Sequence, residues 1–240
     1  MWVCQSSKLT SFAFMNRATR KKADALYLFL ASMFITALIV CNLIANKFVT
    51  VDLGFKTFIL SAGVLPYPIT FLVTDILSEI YGRKRTNHVV MMGFGALIFT
   101  LLILWLGSVF PSIEDSPVSD ELYQTVYGNS WRVIMSSMVA YIIAQLVDVR
   151  LFHFWKDLTG GKHLWLRNNA STIVSQLVDT TLVVSVLFIG SLSWDQIGAF
   201  IRDGWMFKAL AALADTPLLY AFTWLIRKRL KLKFAQEVNA

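Results

Sequence analysis

The sequence has little of what holds soluble domains together or builds metal centres. Its two cysteines, Cys4 and Cys41, are separated by an apolar run, which excludes a disulfide framework and a four-ligand zinc site. Histidine is confined to His88, His153 and His163, too dispersed for one metal site. Neither His-Glu-x-x-His nor Gly-x-Gly-Asp occurs, so the signatures of metal-dependent and aspartate-dependent intramembrane hydrolases are missing. Charge is scarce as well: 15% of residues are Asp, Glu, Lys or Arg, against 56% hydrophobic. That is too few for an ordinary soluble domain.

Long apolar runs take the place of these features, and the mean hydropathy is +0.60. Six runs approach the length that crosses a bilayer as a helix: Ala25 to Asn46, Thr57 to Tyr81, Val89 to Phe110, Trp131 to Phe154, Ala170 to Gly190 and Trp205 to Ile226. Short connections join them, so the expected fold is all-α, an integral membrane six-helix bundle spanning 25–228. It is flanked by a flexible tail, 1–24, and a basic tail, 229–240. The first run follows a basic lead and is longer than a signal core, which predicts a retained span. No cofactor is expected.

The net charge of +7 does not point to nucleic acid, because the basic residues sit at the ends of apolar runs rather than on an aromatic-interleaved patch. Placing the N-terminus in the cytoplasm gathers most of the 22 Lys and Arg on that side, including Arg83, Lys84, Arg85, Arg150, Lys156, Lys162, Arg167 and Arg227. Lys47, Lys56, Arg132, Arg202 and Lys208 are left outside or in the outer half. Both termini are therefore expected to be cytoplasmic.

Five acids fall inside these spans. An acid at mid-bilayer costs about 2.5 to 3.5 kcal/mol on an insertion scale, so each is expected to face a polar interior. Counting about 1.5 Å per residue from the nearest basic boundary puts Asp75, Asp179 and Asp215 near mid-membrane. Glu79 and Asp148 lie within about a turn of Arg83 and Arg150, where ion pairing and site lining are both open readings. Helical spacing aligns Pro68, Leu72, Asp75 and Glu79 on one face, Tyr141, Gln145 and Asp148 on another, and Thr172, Ser175, Gln176 and Asp179 on a third. The tetrapeptide Gln-Leu-Val-Asp occurs twice, at 145–148 and 176–179.

Pro66 and Pro68 are expected to break the second span into a cavity-lining segment, with Arg83 and Lys84 latching the inner gate; Pro217 follows Asp215 as a kink or a second break. Acids and amides beside Tyr67, Phe71 and Tyr141 suit a heterocycle with adjacent N–H groups, such as a guanine-like base, or a small organic cation. Phosphate does not suit them, since no Arg, Lys or glycine-rich loop is predicted at mid-depth; Lys208 is expected at the outer boundary or paired with an acid.

These same residues carry a family resemblance. The run from Pro68 to Gly82, PITFLVTDILSEIYG, together with Gln145 to Val149, Asn168 to Thr172, Ser175 to Thr180 and Asp215-Thr216-Pro217, resembles the queuosine precursor transporters, grouped with vitamin uptake transporters. The resemblance implies a carrier of the bacterial inner membrane that imports 7-deazaguanine bases. It also implies a fold like the substrate-binding subunits of energy-coupling-factor importers. It marks Asp75, Glu79, Gln145, Asp148, Ser171, Ser175, Gln176, Asp179 and Asp215 as site residues. The first span has alanines at 25, 31, 37 and 45 and no Ala-x-x-x-Ala docking pattern, so the expectation is a stand-alone carrier, alone or as a homodimer, rather than a subunit of an energy-coupling module. Two rivals carry less weight: half a major facilitator, from the Glu79 to Arg85 loop, and an intramembrane aspartate-dependent enzyme.

Overall fold

The computed structural model describes residues 16–45, 47–54, 56–128, 131–188, 193–233 and 236–238. Cys4 and most of the expected N-terminal tail fall outside these residues. Helix α1 (Arg17–Leu43) begins where the Asn16 side chain accepts from the Ala18 N–H, satisfying a donor that the first turn leaves free. The first helix thus starts at Arg17 rather than Ala25.

The next segment departs from the sequence reading. Strands β1 (Phe48–Asp52) and β2 (Thr57–Ser61) pair antiparallel, with Val51 opposite Phe58, and a 3-10 turn (Ala62–Val64) follows. Residues 57–61, which read as the start of an apolar helix, instead satisfy their backbone across a hairpin with 48–52. The helix expected from Thr57 starts only at Tyr67.

Helix α2 (Tyr67–Val109) is two arms joined at Gly82, whose φ of 77° and ψ of 169° break the helix. A side chain is strained at this φ, and an added Cβ would lie 2.2 Å from the Glu237 carboxylate. The broken ladder leaves the Ile80 carbonyl to accept the Val238 N–H at 2.7 Å, which docks the C-terminal segment against the corner. Pro66 is the N-cap of α2 and Pro68 sits in its first turn, where a proline removes no intrahelical bond. The broken-helix reading of the two prolines is corrected accordingly: they start a helix. Pro217 lies inside a helix that continues past it.

A short helix α3 (Asp120–Tyr123) precedes α4 (Trp131–Leu158), α5 (Leu164–Phe188) and α6 (Trp194–Leu230). Among the described residues, four helical segments are long and apolar enough to cross a membrane: Arg17–Leu43, Ala62–Val109, Ser137–Leu158 and Trp194–Leu230. The exposure pattern is the inverse of a soluble protein. Trp105 and Trp224 are 64% and 63% exposed, whereas Gln145, Asp148, Ser171 and Ser175 are wholly buried. Lipid would solvate the first pair, and only a polar interior can keep the second group.

The start of α1 and the end of α6 lie side by side, since Lys22 and Leu26 line one groove with Arg229 and Leu230. The Gly82 corner is at the same end: Tyr81 donates to the Ala23 carbonyl at 2.7 Å and Tyr27 to that of Arg85 at 3.2 Å. The β hairpin sits by the start of α6, where Lys56 pairs with Asp203 at 2.8 Å.

Candidate functional site

Two polar clusters occupy the interior, separated by one turn of α2. The first surrounds Glu79. Arg167 of α5 donates to its Oε2 at 2.5 Å and Arg227 of α6 to its Oε1 at 2.6 Å, while Lys156 of α4 stands 3.8 Å away. Lys156 also pairs with Glu237 at 2.7 Å. Arg167 is 1% exposed and donates to the Gly161 carbonyl as well. One carboxylate thus joins α2, α4, α5 and α6 at the end where α1 begins and α6 finishes.

The second cluster is a cavity between α2, α5 and α6. Tyr67, Pro68, Phe71, Leu72 and Asp75 line it from α2, Asn168, Thr172 and Gln176 from α5, and Lys208, Ala212 and Asp215 from α6. Regular spacing makes both walls: Phe71 and Asp75 are four residues apart, and Asn168, Thr172 and Gln176 follow the same interval. The Tyr67, Phe71 and Tyr141 rings pack edge to face or tilted, with centroids 5.1 to 6.0 Å apart. Behind them, Gln145 donates to the Thr74 hydroxyl at 2.5 Å and Ser175 to the Asp148 carboxylate at 2.9 Å. Lys208 donates to Asp179 at 2.6 Å and lies 4.4 Å from the Tyr67 ring centre.

Unpaired oxygens distinguish this cavity. Asp75 Oδ1, Asn168 Oδ1, Thr172 Oγ1 and Gln176 Oε1 are buried without a hydrogen-bond partner, as are Asp148 Oδ2 and Asp179 Oδ1 just behind the lining. Carboxylate oxygens can only accept, and an unpaired buried acceptor costs about 1 to 3 kcal/mol. The lining is built to receive N–H or O–H donors. The cavity volume open to the centre of a water-sized sphere is ≈ 20 Å³. That admits a water molecule, which needs about 10–15 Å³, but not a bicyclic ring.

Among the sequence-derived candidates, Phe71, Asp75, Gln176 and Asp215 line this cavity. Tyr141, Gln145, Asp148, Ser175 and Asp179 form the layer behind it through the contacts above. Ser171 is buried and bonded to the Asn168 carbonyl. Glu79 belongs to the other cluster, and its partners are Arg167, Arg227 and Lys156 rather than the neighbouring Arg83. Arg83 and Lys84 are exposed, and the cations on Glu79 come from α4, α5 and α6 instead.

Arg167, read from the sequence as an inner-loop residue, is a buried cation of α5. It lies four and eight residues before Ser171 and Ser175, and that shared face was the available signal. Asn168, Thr172 and Lys208 complete the lining, and Asn169 ties α5 to α6 through Thr216 at 2.8 Å. Among the described residues no group of three or more His, Cys, Asp or Glu could hold a metal ion.

Long apolar helices around a buried, acid-lined cavity define a multi-pass membrane protein. A family model described as "Putative vitamin uptake transporter" matches residues 61–222, and the chain belongs to that transporter family. A Bacillus subtilis (strain 168) protein named "Probable queuosine precursor transporter" is 32% identical over 160 residues, 66% of this chain and 69% of its own. A Haemophilus influenzae (strain ATCC 51907 / DSM 11121 / KW20 / Rd) protein of the same name is 27% identical over 145 residues, 57% of each chain. No solved structure matches.

Proposed function

We propose that this chain carries 7-deazaguanine bases, the precursors of queuosine, across the bacterial inner membrane, with both termini in the cytoplasm. The observation that carries this reading is the set of unpaired acceptor oxygens beside the Tyr67 and Phe71 rings. A guanine-like ring presents several N–H groups along one edge and a flat apolar face, so it satisfies acceptors and aromatics together. The names of the two relatives support the same ligand class.

The contacts also suggest how access alternates. Helices α5 and α6 are held together along their length by Lys208 to Asp179, Trp205 to the Ile173 carbonyl, Asn169 to Thr216 and Trp165 to Tyr220. Their ion pairs with α2 lie at the Glu79 end. The pair therefore swings from α2 about that end to admit a base from the far side. Release toward the cytoplasm requires the Glu79 cluster to part.

Equilibrium binding to purified protein tests the ligand assignment. A 7-deazaguanine base is expected to bind saturably and to be recovered unchanged. Absence of saturable binding, or recovery of a converted product, would overturn the proposal.

A further inference from the structure

Among the described residues lining the cavity, Lys208 is the one cation, in a lining that also holds Asp75 and Asp215. Its ammonium sits between a carboxylate, Asp179 at 2.6 Å, and an aromatic face, Tyr67 at 4.4 Å. A carboxylate and a ring face together are how proteins hold free ammonium ligands. The two walls of this box are on α5 and α2, while the occupant arrives on a flexible four-carbon stem from α6. Asp179 is 2% exposed, and the Tyr67 hydroxyl reaches the same carboxylate, so the two walls of the box touch each other as well as the ammonium. A purely structural ion pair would not need to border the cavity, as Lys208 and Tyr67 do.

We propose that Asp179 and Tyr67 form an ammonium subsite which Lys208 fills from within the chain, and that Lys208 thereby sets the division between neutral and cationic bases. This rests on the base-carrier reading above. A ligand with an aminomethyl arm brings an ammonium that must displace Lys208 or meet a like charge in a space shielded from water. A neutral ligand such as the nitrile base meets neither cost, and Lys208 can donate to its ring carbonyl. Lys208 is thus a specificity residue acting against the cationic substrate, and its removal opens the box to that substrate's arm.

The test compares dissociation constants of the neutral nitrile base and the cationic aminomethyl base for the wild type, Lys208→Met and Lys208→Arg. In Lys208→Met the ratio of the two is expected to move toward the cation by about tenfold or more, the scale of a desolvated ammonium–aromatic contact with its carboxylate. Lys208→Arg is expected to keep the wild-type order. An unchanged ratio in Lys208→Met would overturn the specificity role. A second arm needs no base: thermal unfolding of Lys208→Ala with ethylammonium chloride present from solubilisation onward, against sodium chloride. Recovery of the midpoint by ethylammonium alone is expected, and its absence would overturn the subsite. Recovery by ethylammonium in a protein that binds neither base would leave the subsite standing and refute the base-carrier reading instead.

Discussion

Glu79→Gln is expected to lower the unfolding free energy by about 3–5 kcal/mol, the usual cost of removing one partner from a buried ion pair. The change is nearly isosteric, so packing is spared and only charge is lost. Arg167 and Arg227 would both lose their carboxylate, and Lys156 would keep only Glu237. Burial makes this costly: Arg167 is 1% exposed, and a stranded guanidinium there has no route to water. Arg83→Gln serves as the control. The sequence pairs Glu79 with Arg83 at i,i+4, whereas Arg83 is exposed, and the ion pairs of Glu79 among the described residues are with Arg167, Arg227 and Lys156. Its substitution is expected to shift the thermal midpoint of the detergent-solubilised protein little. A Glu79→Gln protein that melts with the wild type, or an Arg83→Gln protein that melts like Glu79→Gln, would contradict the cluster.

The second large effect falls on binding rather than stability. Asp75 is 2% exposed and its Oδ1, unpaired, belongs to a residue lining the cavity. A carboxylate there can accept two N–H groups from the guanidine-like edge of a 7-deazaguanine. Asparagine would set an N–H₂ against one of those donors, losing a charge-assisted bond and leaving a donor unsatisfied. The expected loss is about 3 kcal/mol, roughly a hundredfold in Kd. Asparagine keeps the side chain's shape beside Asp148 and Thr172 and removes one of two facing carboxyl groups, so the melting midpoint is expected to hold or rise. A dissociation constant within about threefold of the wild type would remove Asp75 from the recognition edge.

What the sequence made legible followed from the cost of polar groups in lipid. Asp75, Asp179 and Asp215 could be placed inside a bundle because no other location tolerates them, and helical spacing then brought Phe71 and Gln176 into the same interior. The β hairpin was not legible, because Thr57 to Ser61 runs on into the apolar stretch of α2 and hydropathy does not separate a strand from a helix. The Glu79 cluster was missed for a related reason. Charge near a predicted boundary reads as solvated, and only the tertiary fold carries Arg167 and Arg227 from two other helices onto one carboxylate. The prolines misled in the opposite sense: Pro66 and Pro68 are costly inside a helix but harmless in its first turn, and the position of that turn was hidden by the same apolar hairpin. Lys208 could be seen as a cation beside Asp215, yet its partner proved to be Asp179, a pairing set by how α6 lies against α5.

Uptake of a radiolabelled 7-deazaguanine base into liposomes containing this chain alone tests the carrier assignment most directly. Saturable accumulation above protein-free liposomes, lost in Asp75→Asn and competed by unlabelled base, is the expected result. Uptake no greater than in protein-free liposomes, from protein shown to be folded and inserted, would contradict a stand-alone carrier of these bases.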